Sequence, residues 1–165
     1  MYDIFSVGNT CCDLIFAGLE RFPEIGKEVY SRDFFIKPGG MANTPMGLAR
    51  LGLKTLFHSK IGTDSLSCFI AEYIEKTGVD ISAVIRDSSY RTAVSASLST
   101  GCDRGFVTYA MEDKSQADIR RIEEYIRQSS HVHCSIFECL GMQVHELANR
   151  YGKTISVDTA WLEGV

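Results

Sequence analysis

The chain has 165 residues, of which 45% are hydrophobic, 10% aromatic and 23% charged; this is globular composition, and it excludes disorder and collagen-like repeats. A domain of this size buries about 70% of the surface its unfolded chain exposes, so a core forms without staples. The net charge is −4 with Lys and Arg scattered, which argues against nucleic acid because phosphate binding needs a positive face, and no apolar run approaches the ~20 residues that cross a bilayer.

The first residues, Met1-Tyr2-Asp3-Ile4-Phe5, carry no basic stretch and do not read as a signal peptide. Six cysteines follow no regular spacing: Cys11, Cys12, Cys68, Cys102, Cys134 and Cys139. They are expected as reduced thiols of a cytoplasmic protein.

In chain order, Ile4 to Val7 closes at Gly8-Asn9 and predicts a buried strand. Leu14 to Ala17 continues extended, and Val29-Tyr30 and Phe34 to Ile36 alternate with charges, as in a half-exposed antiparallel sheet. The chain is expected to turn sharply at Pro38-Gly39-Gly40 and enter a helix capped by Asn43 or Thr44 and stopped by Gly52. Leu56 to Ile61 predicts one strand, and Asp64 or Ser65 through Lys76 a helix closed by Gly78. Thr92 to Leu98 and Phe106 to Tyr109 predict a hairpin with a five-residue connection at 101–105. A helix at 119–127, a strand at 131–137, a helix at 144–151 and a strand at 154–157 complete the order. The strand–helix alternation argues a parallel sheet with crossover helices. Two interruptions, around 14–37 and 90–110, are expected to form a separate small sheet.

Few residues stand out for chemistry. Paired glycines ahead of a helix start, Gly39 and Gly40, let a ligand reach the backbone, and Asn43 adds a donor and an acceptor. A tight loop before a capped helix fits the same residues. Asp13 follows the first strand, at the end where open parallel sheets place ligands, and can accept hydroxyl hydrogen bonds; a solvated turn carboxylate fits equally. Asp158 stands in the same kind of position after the last strand. His131, His133 and Cys134, with Cys139 nearby, do not converge, because alternate strand residues face opposite ways; no metal site is expected. No Walker-type loop, Gly-x-Gly-x-x-Gly or Gly-x-Ser-x-Gly is present, and no residue is nominated as catalytic.

Together the pieces resemble the ribokinase-like (PfkB) family of carbohydrate and nucleoside kinases. The resemblance rests on Val7-Gly8-Asn9 through Asp13, Gly39-Gly40-Met41-Ala42-Asn43, Ala49-Arg50-Leu51-Gly52, Ile61-Gly62-Thr63-Asp64, Gly78-Val79-Asp80, and Thr92 ahead of Gly101-Cys102-Asp103-Arg104. Met41, Pro45 and Ser67 depart from the usual family residues, and Asp158-Thr159-Ala160-Trp161 lacks the Asn and Arg that often follow this Asp.

The resemblance implies a three-layer α/β/α parallel sheet with a small β lid over 14–37 and 90–110, its C-terminal half missing from these 165 residues. It implies ATP-dependent phosphorylation of a sugar hydroxyl, with Asp13, Gly39, Gly40 and Asn43 lining the sugar site. ATP and Mg²⁺ serve the parent enzyme and are not expected to bind well to this chain alone. The family's Gly-x-Gly-Asp motif, whose Asp is the catalytic base, occurs nowhere between Met1 and Val165. The chain therefore reads as a truncated part without activity of its own. A homodimer through the lid is a further implication, with the Phe34-Phe35 pair as candidate contact; half-buried packing within the lid is the plainer explanation of that pair. A non-catalytic sugar-binding or regulatory protein and an adenosine-like nucleoside kinase are the alternatives.

Overall fold

The computed structural model describes residues 1–113 and 117–159. Its strands are β1 (Tyr2–Val7), β2 (Thr10–Leu19), β3 (Asp33–Gly40), β4 (Thr55–His58), β5 (Lys60–Ile61), β6 (Ile85–Arg86), β7 (Ala93–Thr100), β8 (Arg104–Tyr109), β9 (Ser129–Ser135) and β10 (Thr154–Asp158). Its helices are α1 (Asn43–Arg50), α2 (Ser65–Lys76), α3 (Ile119–Arg127), α4 (Ile136–Gly141) and α5 (Val144–Arg150).

Ile4-Phe5-Ser6-Val7 is buried throughout, and β1 accordingly runs inside a parallel sheet of order β10-β9-β1-β4. Side chains alternate between its faces. Phe5, Val7, Val132 and Cys134 meet Ile122 and Ile126 of α3 and Val144, Leu147 and Ala148 of α5. On the other face Phe57 packs with Met46 of α1 and Ile74 of α2. Helices thus cover both faces of a parallel sheet, the expected α/β fold. Among the described residues no helix is long and apolar enough to cross a membrane.

A second four-stranded sheet, order β3-β2-β7-β8, stands beside this body. It is mixed where the sequence suggested antiparallel: β2 pairs β3 and β7 pairs β8 antiparallel, but β2 and β7 are parallel. Both strands leave the body side by side, β2 straight from β1 and β7 from Thr92, whose hydroxyl holds the Gly62 amide at 2.8 Å. The strands also extend past the expected limits, from Thr10 on one side and to Gly40 on the other. The even-numbered face of β2, with Cys12 and Leu14, packs with Ile36 and Val94 against Ile70 and Ala71 of α2. Phe34 and Phe35 point to opposite faces and do not form one patch: Phe34 lies 4.9 Å from the Phe16 ring, and Phe35 lies under Lys37.

Other local expectations need correction. Gly39 and Gly40 end a strand rather than form the turn, which follows at Met41-Ala42. Neither Asn43 nor Thr44 caps α1: the helix starts at Asn43 behind Ala42, with no side-chain cap. The strand expected over 56–61 breaks at Ser59, whose carbonyl takes the Ile85 amide at 2.8 Å and starts the separate β5–β6 pair. The hairpin connection is Gly101-Cys102-Asp103, three residues rather than five, because Thr100 and Asp103 close it with mutual hydrogen bonds. Ile136 and Phe137 open α4 instead of extending β9, since the Ser135 side chain accepts from the Phe137 amide and starts a helix. Ala160 and Trp161 of the last motif lie outside the described residues.

Candidate functional site

The carboxyl end of β1 is the meeting point of both sheets. Only Gly8 and Asn9 separate β1 from β2, so Asp13, the fourth residue of β2, stands at the base of the second sheet. Opposite it runs the end of β3, with Cys11 facing Gly39 and Thr10 facing Gly40. The Asp13 carboxylate lies across Gly39 so closely that a Cβ there would come within 2.1 Å of Oδ2. Gly40 has φ +60, and a Cβ would meet the Asn9 carbonyl at 2.8 Å. Both glycines are therefore steric requirements of this junction.

Asp13 is half-buried, and the Cys11 thiol donates to its Oδ1 at 3.2 Å. Burial, with the Asp13 charge beside it, pushes the Cys11 thiol well up from its ordinary value. Cys11 stays protonated and serves as a donor. Asn43 is exposed at the first residue of α1, whose amides no side chain caps. An uncapped helix start offers N–H donors and the positive end of the helix dipole.

Next to this junction opens a cleft of about 360 Å³ whose lining includes Asn9, His58, Ser59, Lys60 and Glu138. It does not include Asp13 or Asn43, so the structure joins Asp13 to Gly39 but leaves Asn43 and the cleft as separate parts of one end of the molecule. Lys60 is bracketed by Asp87 and Asp113, each at 3.1 Å, and lies 5.1 Å from the Tyr90 ring centre. His58 is held by the Ala83 carbonyl at 2.8 Å, and burial lowers its pKa.

Glu138 is the residue that sequence reasoning missed. It is only 8% exposed, accepts from the Ser135 hydroxyl, and turns Oε2 toward Gly8. The Ser135-x-x-Glu138 spacing of a helix start was the available signal, and reading this stretch as strand concealed it. The buried carboxylate of Glu138 in α4, just past β9, and the half-buried one of Asp13 at the base of β2 are suited to accept hydrogen bonds from a polyhydroxylated ligand.

The histidine pair is placed otherwise. His131 and His133 share one face of β9 and bond to Thr154 and Ser156 of β10, each contact 2.8 Å, while Cys134 lies in the core on the opposite face. Among the described residues no group of three or more His, Cys, Asp or Glu could hold a metal ion.

Comparison with known proteins agrees with this architecture. The chain is 36% identical over 89 residues to 5-dehydro-2-deoxygluconokinase of Geobacillus thermodenitrificans, covering 53% of this chain and 25% of that protein. It is 31% identical over 133 residues to 2-dehydro-3-deoxygluconokinase of Bacillus subtilis, covering 73% and 41%. Ribokinase of Arabidopsis thaliana, solved with ribose and ATP, superposes with a TM-score of 0.79 at 19% identity, over 98% of this chain and 54% of that one. The chain thus spans about half or less of the length of the proteins it resembles. The profile described as pfkB family carbohydrate kinase matches residues 1–160, and with the parallel sheet and its attached second sheet this establishes that the chain belongs to the pfkB family of carbohydrate kinases.

Proposed function

We propose that the protein to which these residues belong phosphorylates a sugar hydroxyl with ATP, and that this chain supplies the sugar-recognition part. The observation that carries the reading is the Asp13 carboxylate, held over Gly39 at the junction of the two sheets with the Cys11 thiol donating to it. Such a carboxylate can take two sugar hydroxyls, and Gly40 and Asn43 complete the approach. Glu138 adds a second acceptor. The second sheet acts as a lid that closes over the sugar and keeps water from the phosphoryl donor. The protein works in the cytoplasm.

ATP and Mg²⁺ belong to the reaction, where the metal neutralises phosphate charge. The residues present do not form their site: the sequence holds no glycine-rich phosphate loop and no Gly-x-Gly-Asp, and no set of metal-ligating side chains converges among the described residues. The transfer step is therefore assigned to none of them. The 165 residues alone are expected to bind sugar without turnover, and ATP-dependent sugar phosphorylation by the purified chain would overturn this.

Sugar recognition itself is read from melting temperature. Saturating D-ribose or D-fructose is expected to raise it, because a ligand that binds only the folded state stabilises that state, and Asp13→Asn to abolish the rise. No rise with any pentose, hexose or nucleoside overturns the sugar site. A rise with adenosine alone moves the assignment to a nucleoside kinase. A homodimer through the second sheet is the remaining part of the proposal, and sedimentation velocity showing a single monomeric species at all concentrations refutes it.

A further inference from the structure

Four polar groups at the root of the second sheet form one chain of hydrogen bonds whose direction is set at both ends. The Gly62 amide donates to Thr92 Oγ1 at 2.8 Å, the Thr92 and Ser67 hydroxyl oxygens lie 2.7 Å apart, and the Ser67 hydroxyl donates to Asp64 Oδ2 at 2.8 Å. An amide N–H only donates and an ionised carboxylate only accepts. The single Ser67 proton is committed to Asp64, so the Thr92 proton goes to Ser67 Oγ. The Ser67 bond holds the Asp64 carboxyl below its ordinary range, against the opposing effect of burial, which keeps the terminal acceptor charged. Hydrogen bonds that end on a charge are the stronger kind, and bonds in series polarise one another.

Ser67 and Thr92 are both buried, and the space around them is filled. A Cβ on Gly62 would come within 2.6 Å of the Tyr90 carbonyl, 2.8 Å of Asp64 Oδ2 and 2.9 Å of Ser67 Oγ. The relay also joins two parts of the molecule. Gly62 follows β5, and Asp64 and Ser67 open α2, whereas Thr92 directly precedes β7. One residue further, Ala93 pairs with Cys11, and Ser95 pairs with Asp13. Beyond the relay, Cys12, Leu14, Ile36 and Val94 meet Ile61, Ile70 and Ala71 through apolar contact. Apolar contact is non-directional and lets packed surfaces slide, while hydrogen bonds fix direction. A cleft of about 530 Å³ beside the relay, lined in part by Asp64, Thr92, Val94 and Tyr109, leaves the sheet room to turn.

We propose that Ser67 and Thr92 are positioning residues for the sugar site: their relay pins the root of β7 and, through the pairing of β7 with β2, fixes where Asp13 stands over the body. This inference rests on the sugar-site reading above and names what aims its carboxylate. With the pin in place the second sheet moves as a unit about Thr92. Without it the sheet slides on α2, and apparent affinity drops by the fraction of molecules that keep the competent orientation.

Amide residual dipolar couplings of the weakly aligned, ligand-free chain test the pin without any sugar. In wild type, β2, β3, β7 and β8 are expected to fit the same alignment as β1, β4 and β9. Thr92→Val and Ser67→Ala each remove one hydroxyl with little change of shape, and each is expected to give the second sheet a separate, weaker alignment. Couplings of the first sheet that stay as in wild type report that the variants are folded. Thr92→Ser keeps the hydroxyl and is expected to behave as wild type. Titration with D-ribose and D-fructose is then expected to show affinity at least about tenfold lower in Thr92→Val and Ser67→Ala, as when one molecule in ten stays competent, and restored in Thr92→Ser. The double variant should lose no more than either single one, because the two hydroxyls act in one chain. A single alignment for both sheets in both variants overturns the pin. A loosened second sheet with wild-type sugar affinity overturns the aiming of Asp13 and leaves the sugar site standing. Wild type that binds neither sugar overturns the sugar reading and the aiming with it, while the couplings still decide the pin.

Discussion

Gly39 has no side chain because Asp13 occupies that space. Gly39→Ala would place a Cβ 2.1 Å from Asp13 Oδ2, and the carboxylate must swing away since both strand backbones are fixed by pairing. Sugar affinity is expected to fall at least about tenfold, roughly 1.4 kcal/mol, and Asp13→Ala, which removes the carboxylate outright, to lose at least as much. Calorimetric titration of Gly39→Ala with the best ligand checks it, and wild-type affinity would show that the carboxylate takes no part. Cys11 belongs to the same contact: its thiol, kept protonated by burial and by Asp13, acts through a donor hydrogen, so Cys11→Ser should retain binding where Cys11→Val weakens it.

At the scale of elements, α2 shows how much was legible. Asp64 accepts from the Leu66 and Ser67 amides, and Ile70, Ala71 and Ile74 are buried along one side; the cap, the spacing and Gly78 were all readable in sequence because each acts locally. Asp64→Ala is expected to cost about 1 kcal/mol. The hydrogen bond from Ser67 holds the Asp64 carboxyl below its ordinary range, ahead of the opposing effect of burial. The stability this gives is present above the unfolded carboxylate value and disappears as pH falls through the lower folded one, so the gap between wild type and variant should narrow as acid protonates the carboxyl; a gap independent of pH speaks against the cap. What could not be read depended on distant partners. The parallel pairing of β2 with β7 joins residues some eighty positions apart, and no local pattern encodes that direction. The Ser59 break and the helical start at Ile136 were hidden inside runs whose apolar character suits either continuation. Of the proposed site, Asp13, Gly39, Gly40 and Asn43 stand in motifs visible in the sequence, whereas the burial of Glu138 needed the α4 start to be seen.

Over the whole molecule, three histidines share one electrostatic trend. Burial lowers the pKa of His58, of His131 and of His133, and His133 Nε2 is buried without a hydrogen-bond partner. The unfolded chain therefore takes up protons more readily near pH 6.5 than the folded one. Stability is full above that value and declines as pH drops below it, and urea midpoints between pH 7.5 and 5 should fall accordingly; a flat profile refutes the burial of these rings. His133→Leu, which removes the orphaned nitrogen, should flatten the slope. The core responds to volume instead: Ile126, wholly buried between α3 and the sheet, should cost about 2–5 kcal/mol as Ala, read from denaturant midpoints. The topology finally sets a timetable. β1 is made well before β9, yet Tyr2 lies opposite Ser129, so at about 5–20 residues per second on a ribosome this central strand waits on the order of ten seconds for its second neighbour. During that interval Phe5 and Val7 lack the cover of Ile122, Ile126, Val144 and Leu147, so a chaperone that shields apolar strands has its clearest task on β1.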